Sequence, residues 1–171
     1  MDDQVTADGY ETLLDMLVST YPSVVVDLSA TTADMKRTVI KRAQKLVIVS
    51  TASLSSVRAA RSLMQEAKTL RGDSDAEIEI VINKQGETSG EVPKAQIEEG
   101  LERKDITYIS YNADLFSELE AEAKRLSTDK ASQDITAKLL KLVGKKASAS
   151  NENDAQKGVL GQFIDKLKTK S

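Results

Sequence analysis

The sequence contains no cysteine and no histidine. Without cysteine there is no disulfide, no thiol nucleophile, and no thiolate-ligated zinc or iron–sulfur site. Without histidine, Ser-His-Asp and Cys-His catalysts and the common histidine-containing zinc sites are excluded. What remains available for chemistry is carboxylate, hydroxyl, amide and ammonium groups.

Aromatic residues are also scarce, at 4% with no tryptophan, so Val, Ile, Leu, Ala and Met must build the core. The 171 residues are 40% hydrophobic and 30% charged, which is typical of one ordinary globular domain. A net charge of −3 is too small to favour nucleic acid as a partner. No apolar run approaches the ~20 residues of a membrane span, and the acidic start differs from a signal peptide. We therefore expect a cytoplasmic protein.

Two unbroken apolar runs dominate the pattern, Pro22–Ser29 with three consecutive valines and Leu46–Ser50. The lack of polar alternation predicts strands that are buried on both faces, as in parallel sheets. Residues 77–83 and Ile106–Ser110 predict two further strands. The sequence thus predicts four strands.

Helical patterns alternate with these runs, and the apolar spacing in three of them predicts the residues that face inward. These are Val57, Ala60, Met64 and Ala67 in the third helix, Ile97 and Leu101 in the fourth, and Ile135, Leu139 and Val143 in the last. The expected limits of the helices come from capping residues, proline and glycine. The predicted helices run from about Asp8 to Thr20, from Thr31 to Ala43, from Ser53 to Gly72, from Pro93 to Leu101, over Leu115–Leu126, and from Ser132 to Gly144. This order predicts an α/β fold, a mostly parallel four-stranded sheet with helices on both faces.

The composition divides the chain into a domain over residues 1–146, a polar linker over 147–157, and an amphipathic C-terminal helix over 158–171. The predicted helix has one apolar arc with lysines around it. These residues are Val159, Leu160, Phe163, Ile164 and Leu167, with Lys166 and Lys168. The arc predicts a segment that binds a membrane or a partner, and packing on its own domain is an equal alternative.

Asp27 closes the first predicted strand. The carboxyl ends of strands are where open α/β sheets bind ligands, and a carboxylate suits the Mg²⁺ of a nucleotide. An isolated Asp in this position also serves as the cap of a turn or of the next helix. The phosphate-binding pattern G-x-x-x-x-G-K-[ST] does not occur. Asp27 is therefore a weak metal candidate, relevant only if a magnesium nucleotide binds.

Several segments together resemble the MinD/ParA-type ATPases, and most closely their CpaE/TadZ branch of pilus-assembly proteins. The resemblance begins in Tyr10–Leu14 and in Tyr21–Leu28, which is similar to the Walker B region. It continues through Ala43–Thr51, Ser53–Arg58, Val81–Lys84 and Ile109–Asp114. It covers about Gly9 to Val143 and implies a truncated P-loop-NTPase-like (Rossmann-like) domain.

In this family the first aspartate acts on Mg²⁺ through water and an asparagine after a later strand contacts the purine. The resemblance places these roles on Asp27 and Asn83, as a vestigial nucleotide site. The segment with the phosphate loop is absent from this chain, and Ser29 and Ser110 stand where the family usually has proline. We therefore expect no catalysis and no cofactor. Because the strand of that loop normally separates them, the first two predicted strands are expected to pair directly.

The resemblance implies a protein-interaction domain in the localisation or assembly of a pilus or secretion apparatus at the cell envelope. The expected partners are proteins of that machinery. A homodimer and peripheral contact with the inner membrane face through the terminal helix are open alternatives. One functional alternative is a nucleotide-binding half-domain that takes Mg-ATP when a partner chain supplies the phosphate loop. Another is a receiver-like signalling module, since Asp27 and Ser50-Thr51 follow successive strands.

Overall fold

The computed structural model describes residues 7–72 and 78–144, which form an α/β, Rossmann-like fold. The strands are β1 (Leu46–Thr51), β2 (Ile78–Gln85) and β3 (Ile106–Ser110). The helices are α1 (Ala7–Thr20), α2 (Ala33–Arg42), α3 (Leu54–Arg71), α4 (Lys94–Leu101), α5 (Ala113–Ala121) and α6 (Gln133–Leu142), with a 3-10 turn at Leu126–Thr128. All strand pairs are parallel, in the order β1-β2-β3. The predicted linker and C-terminal helix lie outside the described residues.

The ends of α3 follow the predicted local signals. Ser53 caps its N-terminus by accepting a hydrogen bond from the Ser56 N–H at 3.2 Å, and Gly72 ends it with a φ of 75°. The cap of α2 is Thr32 rather than the predicted Thr31. The hydroxyl of Thr31 instead donates to the Leu28 carbonyl at 3.0 Å in the preceding turn.

One face of the sheet carries the main core. Ile48, Ile80 and Ile82 point to this face and pack against α2, α3 and α4. The inward residues predicted for α3 and α4 are all buried there: Val57, Ala60, Met64, Ala67, Ile97 and Leu101. Their 3.6-residue periodicity therefore located the helix faces correctly.

On the opposite face, α6 lies over β2 and β3. Val81 and Ile109 lie on this face and are buried with Leu142, against which Ile135 packs. Helices thus cover both faces, as predicted. Of the other inward residues predicted for α6, Leu139 and Val143 are exposed, because this smaller cluster reaches only part of the helix.

The prediction of a fourth strand over Pro22–Ser29 is wrong for this structure. The segment has no regular secondary structure, with a bend at Pro22 and a turn from Ser29, and it pairs neither with β1 nor with any other described strand. Val24, Val26 and Leu28 are half-buried, whereas the side chain of Val25 is 81% exposed. Because water can satisfy the backbone groups of an exposed segment, no strand partner is required there.

Candidate binding cleft at the carboxyl edge of the sheet

An open cleft of about 390 Å³ lies where β1 and β2 end. Thr51 closes β1 and is in register with Asn83 of β2, so their side chains lie side by side. The start of α3 contributes Ser56, the end of β2 contributes Lys84, and the loop after β2 contributes Glu87. The parallel topology therefore brings polar residues from three parts of the chain to one place, as the rule for α/β sheets predicts.

The polar groups of the cleft are bonded mainly to one another. The Thr51 hydroxyl donates to Ser56 Oγ at 3.0 Å, and Ser53 Oγ donates to the same atom at 2.8 Å. Asn83 Oδ1 accepts the N–H of Lys84 at 2.9 Å. Lys84 Nζ lies 3.3 Å from the Glu87 carboxylate. The arrangement is a small hydroxyl and amide network with one ion pair, without a cluster of carboxylates.

Glu91 holds the loop beside the cleft in place. Its carboxylate accepts the backbone N–H groups of Gly86, Glu87 and Thr88 at 2.9–3.3 Å. These bonds, with that from Gly86 the largest, lower the pKa of Glu91. Gly86 adopts a φ of 89°, which a glycine tolerates without strain. The sequence did not predict this role of Glu91; the nearby Gly86 and Gly90 are the signal that could have pointed to a tight loop.

Asp27 is placed differently from Asn83. It is not among the residues that line the cleft. Its carboxylate accepts the N–H of Ser29 at 2.9 Å, and this backbone hydrogen bond lowers the pKa of Asp27. Asp27 thus caps the turn that leads to α2, which is the alternative that the sequence left open. Its role toward magnesium or a nucleotide stays a prediction.

A metal centre has little support within the described ranges. No group of three or more acidic side chains there is close enough to hold a metal ion. The serine and threonine hydroxyls around the cleft have no carboxylate among their hydrogen-bond partners, so no activated nucleophile is formed. The described side chains of the cleft can offer a bound polar group hydrogen-bond donors and acceptors.

A second groove, of about 440 Å³, lies between α5 and the 3-10 turn. Phe116, Leu119 and Leu126 supply its apolar wall, and Glu120 and Lys124 lie at its border. Phe116 lies in the helix that the sequence predicted here, and its side chain is exposed. The groove is apolar and open, which is typical of a contact surface rather than of a catalytic site.

Protein-family models, curated proteins and solved structures give no significant match to this chain. The resemblance to the MinD/ParA-type ATPases therefore stays a prediction from the sequence.

Within residues 7–72 and 78–144, none of the helices combines the length and the hydropathy that crossing a bilayer requires.

Proposed function

We propose that this chain is a non-catalytic protein-interaction domain that binds its partner by strand addition. The observation that carries the proposal is the presence of two β-branched segments with unpaired edges. Among the described strands, β1 has a neighbour on one side only. The segment Val24–Val26 has no regular secondary structure, and its backbone makes no hydrogen bond to other described residues.

Such edges are templates for another chain. An edge strand presents a row of unpaired N–H and C=O groups, and extended peptides bind by adding a strand to it. Proteins that avoid this contact place charged residues or proline on the edge. Here the exposed positions Val25, Val47 and Val49 are apolar. A sheet extended beyond β1 by a partner strand would approach the four-stranded, truncated P-loop-NTPase-like arrangement that the sequence resembles.

The cellular task follows from the sequence resemblance alone. By its likeness to the CpaE/TadZ branch, we place the domain in the localisation or assembly of a pilus or secretion apparatus at the cell envelope. Its partner would be a protein of that machinery or a second copy of this chain. It would act from the cytoplasm, with the C-terminal segment as the contact to the inner membrane face or to the partner.

A nucleotide-binding half-domain is the second candidate, and one observation favours it. Asn83, which the resemblance assigns to the purine, lies in the cleft with Thr51 at the carboxyl edge of the sheet. A partner chain would then have to supply the phosphate loop. Against this, the Thr51 hydroxyl already bonds to Ser56, Asn83 Oδ1 already accepts a backbone N–H, and the Lys84 ammonium is already paired with Glu87.

Calorimetric titration with Mg-ATP separates the two candidates. We expect no saturable heat up to millimolar nucleotide, because the chain lacks a glycine-rich phosphate loop. Micromolar binding that is lost in Asn83→Ala would reject the non-catalytic interaction domain in favour of the nucleotide site.

Strand addition is tested with a charge on the unpaired segment. Val25→Lys should abolish co-purification with pilus or secretion components, since a lysine on an edge opposes pairing. Ser62→Lys adds the same charge at an exposed position of α3 and should leave the complex intact. Equal retention by both variants would contradict the proposal.

A further inference from the structure

The second face of the sheet is only partly covered. Val49 is in register with Val81, so the two side chains lie on the same face, one strand apart. Val81 is buried under α6, whereas Val49 is 64% and Val47 38% exposed. The cover supplied by α6 therefore ends between β2 and β1, and two valines at the centre of β1 face water. Parallel sheets normally have helices over both faces of all their strands.

The exposed surface also involves α6 itself. Leu139 lies four residues after Ile135 and three before Leu142, so all three share one stripe of the helix. Ile135 and Leu142 pack on Val81 and Ile109, but Leu139 remains 38% exposed. Apolar surface is thus left on the helix as well as on the strand beside it.

The chain leaves the described structure on this same layer. α6 ends at Leu142, Gly144 follows with a φ of 73°, and residues 145–171 come next in the sequence. A second helix beside α6 would lie about 10 Å from its axis. A flexible linker the length of residues 145–157 has an average reach of roughly 20 Å. The linker is long enough to place the following segment over β1.

The segment that follows has the size and the pattern to fill the gap. As a helix, residues 158–170 would be about 20 Å long, which equals the ~20 Å length of the six residues of β1. Its apolar side chains fall on a single arc. These are Val159, Leu160, Phe163, Ile164 and Leu167.

We propose that residues 158–170 dock as a helix on their own domain, beside α6, with the apolar arc over Val47 and Val49. This contact completes the second helical layer and removes the exposed valines from water. It uses the face of β1 and leaves the outer backbone edge open, so it does not depend on the proposed function. The apolar arc is then held by the domain in the absence of a partner or membrane.

The natural absence of cysteine allows a direct test by cross-linking in the full chain. Val49→Cys combined with Phe163→Cys should form an intramolecular disulfide under mild oxidation. As a control, Arg58→Cys with Phe163→Cys places the first thiol on the exposed side of α3, over the other face of the sheet. We expect the first pair to close at least tenfold faster than the control. Equal rates would overturn the proposal, as would a disulfide that forms only between two copies.

Hydrogen exchange provides a second readout that needs no thiols. Phe163→Asp should speed amide exchange in β1, because the charge cannot be buried against Val49. Thr169→Asp puts the same charge on the back of the helical pattern and should leave the exchange of β1 unchanged. Unchanged exchange in Phe163→Asp, combined with loss of its binding to vesicles of anionic phospholipid, would show that the arc serves the membrane instead and would overturn cis docking.

Discussion

Two valine-rich runs with nearly the same local pattern adopt different structures in this molecule. Residues 46–51 form β1, paired along their length with β2 in continuous register from Leu46 to Thr51. Residues 23–28 form no regular secondary structure and pair with no described strand. Both runs have high β propensity, so propensity does not explain the difference. The difference is that β1 has a neighbouring strand and a helix, α3, packed on one face.

The comparison also shows that an unbroken apolar run need not be buried on both sides. In β1, Ile48 is buried while Val47 and Val49 are exposed. In the other run, Val24 and Val26 are half-buried and Val25 is exposed. Both segments therefore bury alternate residues, although neither sequence alternates. Apolar pattern predicts an extended backbone here, but it does not predict how many layers cover it.

The largest expected difference between the two runs is in backbone protection. Amides of β1 that donate hydrogen bonds to β2 should exchange only on global or large-scale unfolding, whereas those of Val24–Val26 should exchange nearly freely. For a domain stability of ~5 kcal/mol this corresponds to a difference of roughly a thousandfold or more. Hydrogen exchange measured by mass spectrometry tests it. Slow exchange at Val24–Val26 would show that this run is paired after all.

Truncating a side chain in each run should lower the free energy of unfolding by amounts that differ by a few kcal/mol. Ile48→Ala removes a buried side chain from the main core and should lower the free energy of unfolding by about 2–4 kcal/mol. Val25→Ala removes an exposed one and should change it by less than about 0.5 kcal/mol. Urea denaturation of both variants is the measurement. Similar losses would mean that Val25 is buried in solution.

The helix caps that follow the two runs offer a finer comparison. Ser53→Ala, after β1, should lower the free energy of unfolding by about 1 kcal/mol, because the hydroxyl oxygen of Ser53 accepts the Ser56 N–H at 3.2 Å. Thr32→Ala, after the unpaired run, should cost less, because its bond to the Met35 N–H is 3.4 Å long. Thermal denaturation monitored by circular dichroism can rank them. A larger loss for Thr32→Ala would reverse the expected order.

The smallest effect concerns the carboxylates of the two loops. Asp27 and Glu91 both have a lowered pKa because backbone N–H groups bind their ionised forms. A pKa that is lower in the folded than in the unfolded state adds stability above the unfolded value, which is lost as the pH falls through the folded one. In Glu91→Gln, the free energy of unfolding should therefore fall less steeply as the pH is lowered. Asp27→Asn should have a smaller effect of the same kind, because Asp27 accepts one backbone N–H whereas Glu91 accepts three. Denaturation at pH values from 2 to 7 measures how the free energy of unfolding of each variant depends on pH. A steeper loss of stability toward low pH in Glu91→Gln would contradict this prediction.

The candidate site was predictable only in part. The sequence placed Asn83 and Ser50-Thr51 at strand ends, and the structure brings Asn83 and Thr51 into one cleft. It did not reveal that Lys84 is paired with Glu87, nor that Glu91 binds three backbone amides of a neighbouring loop. These contacts depend on the backbone at the end of β2, where Lys84 and Gly86 both have a positive φ. A single sequence does not specify that geometry.

By itself, the sequence determined the order of the helices and the buried faces of α3 and α4, since residues such as Val57, Ala60 and Met64 repeat with the period of a helix that must bury one side. It extended the fifth helix to Leu126, whereas α5 ends at Ala121. It also determined three strands and the absence of histidine and cysteine chemistry. Only the tertiary structure decided that Val24–Asp27 stays outside the sheet and that β1 keeps one face open. The physical reason is that helix formation is largely local in its hydrogen bonds, whereas a strand exists only where another strand supplies the partners for its backbone.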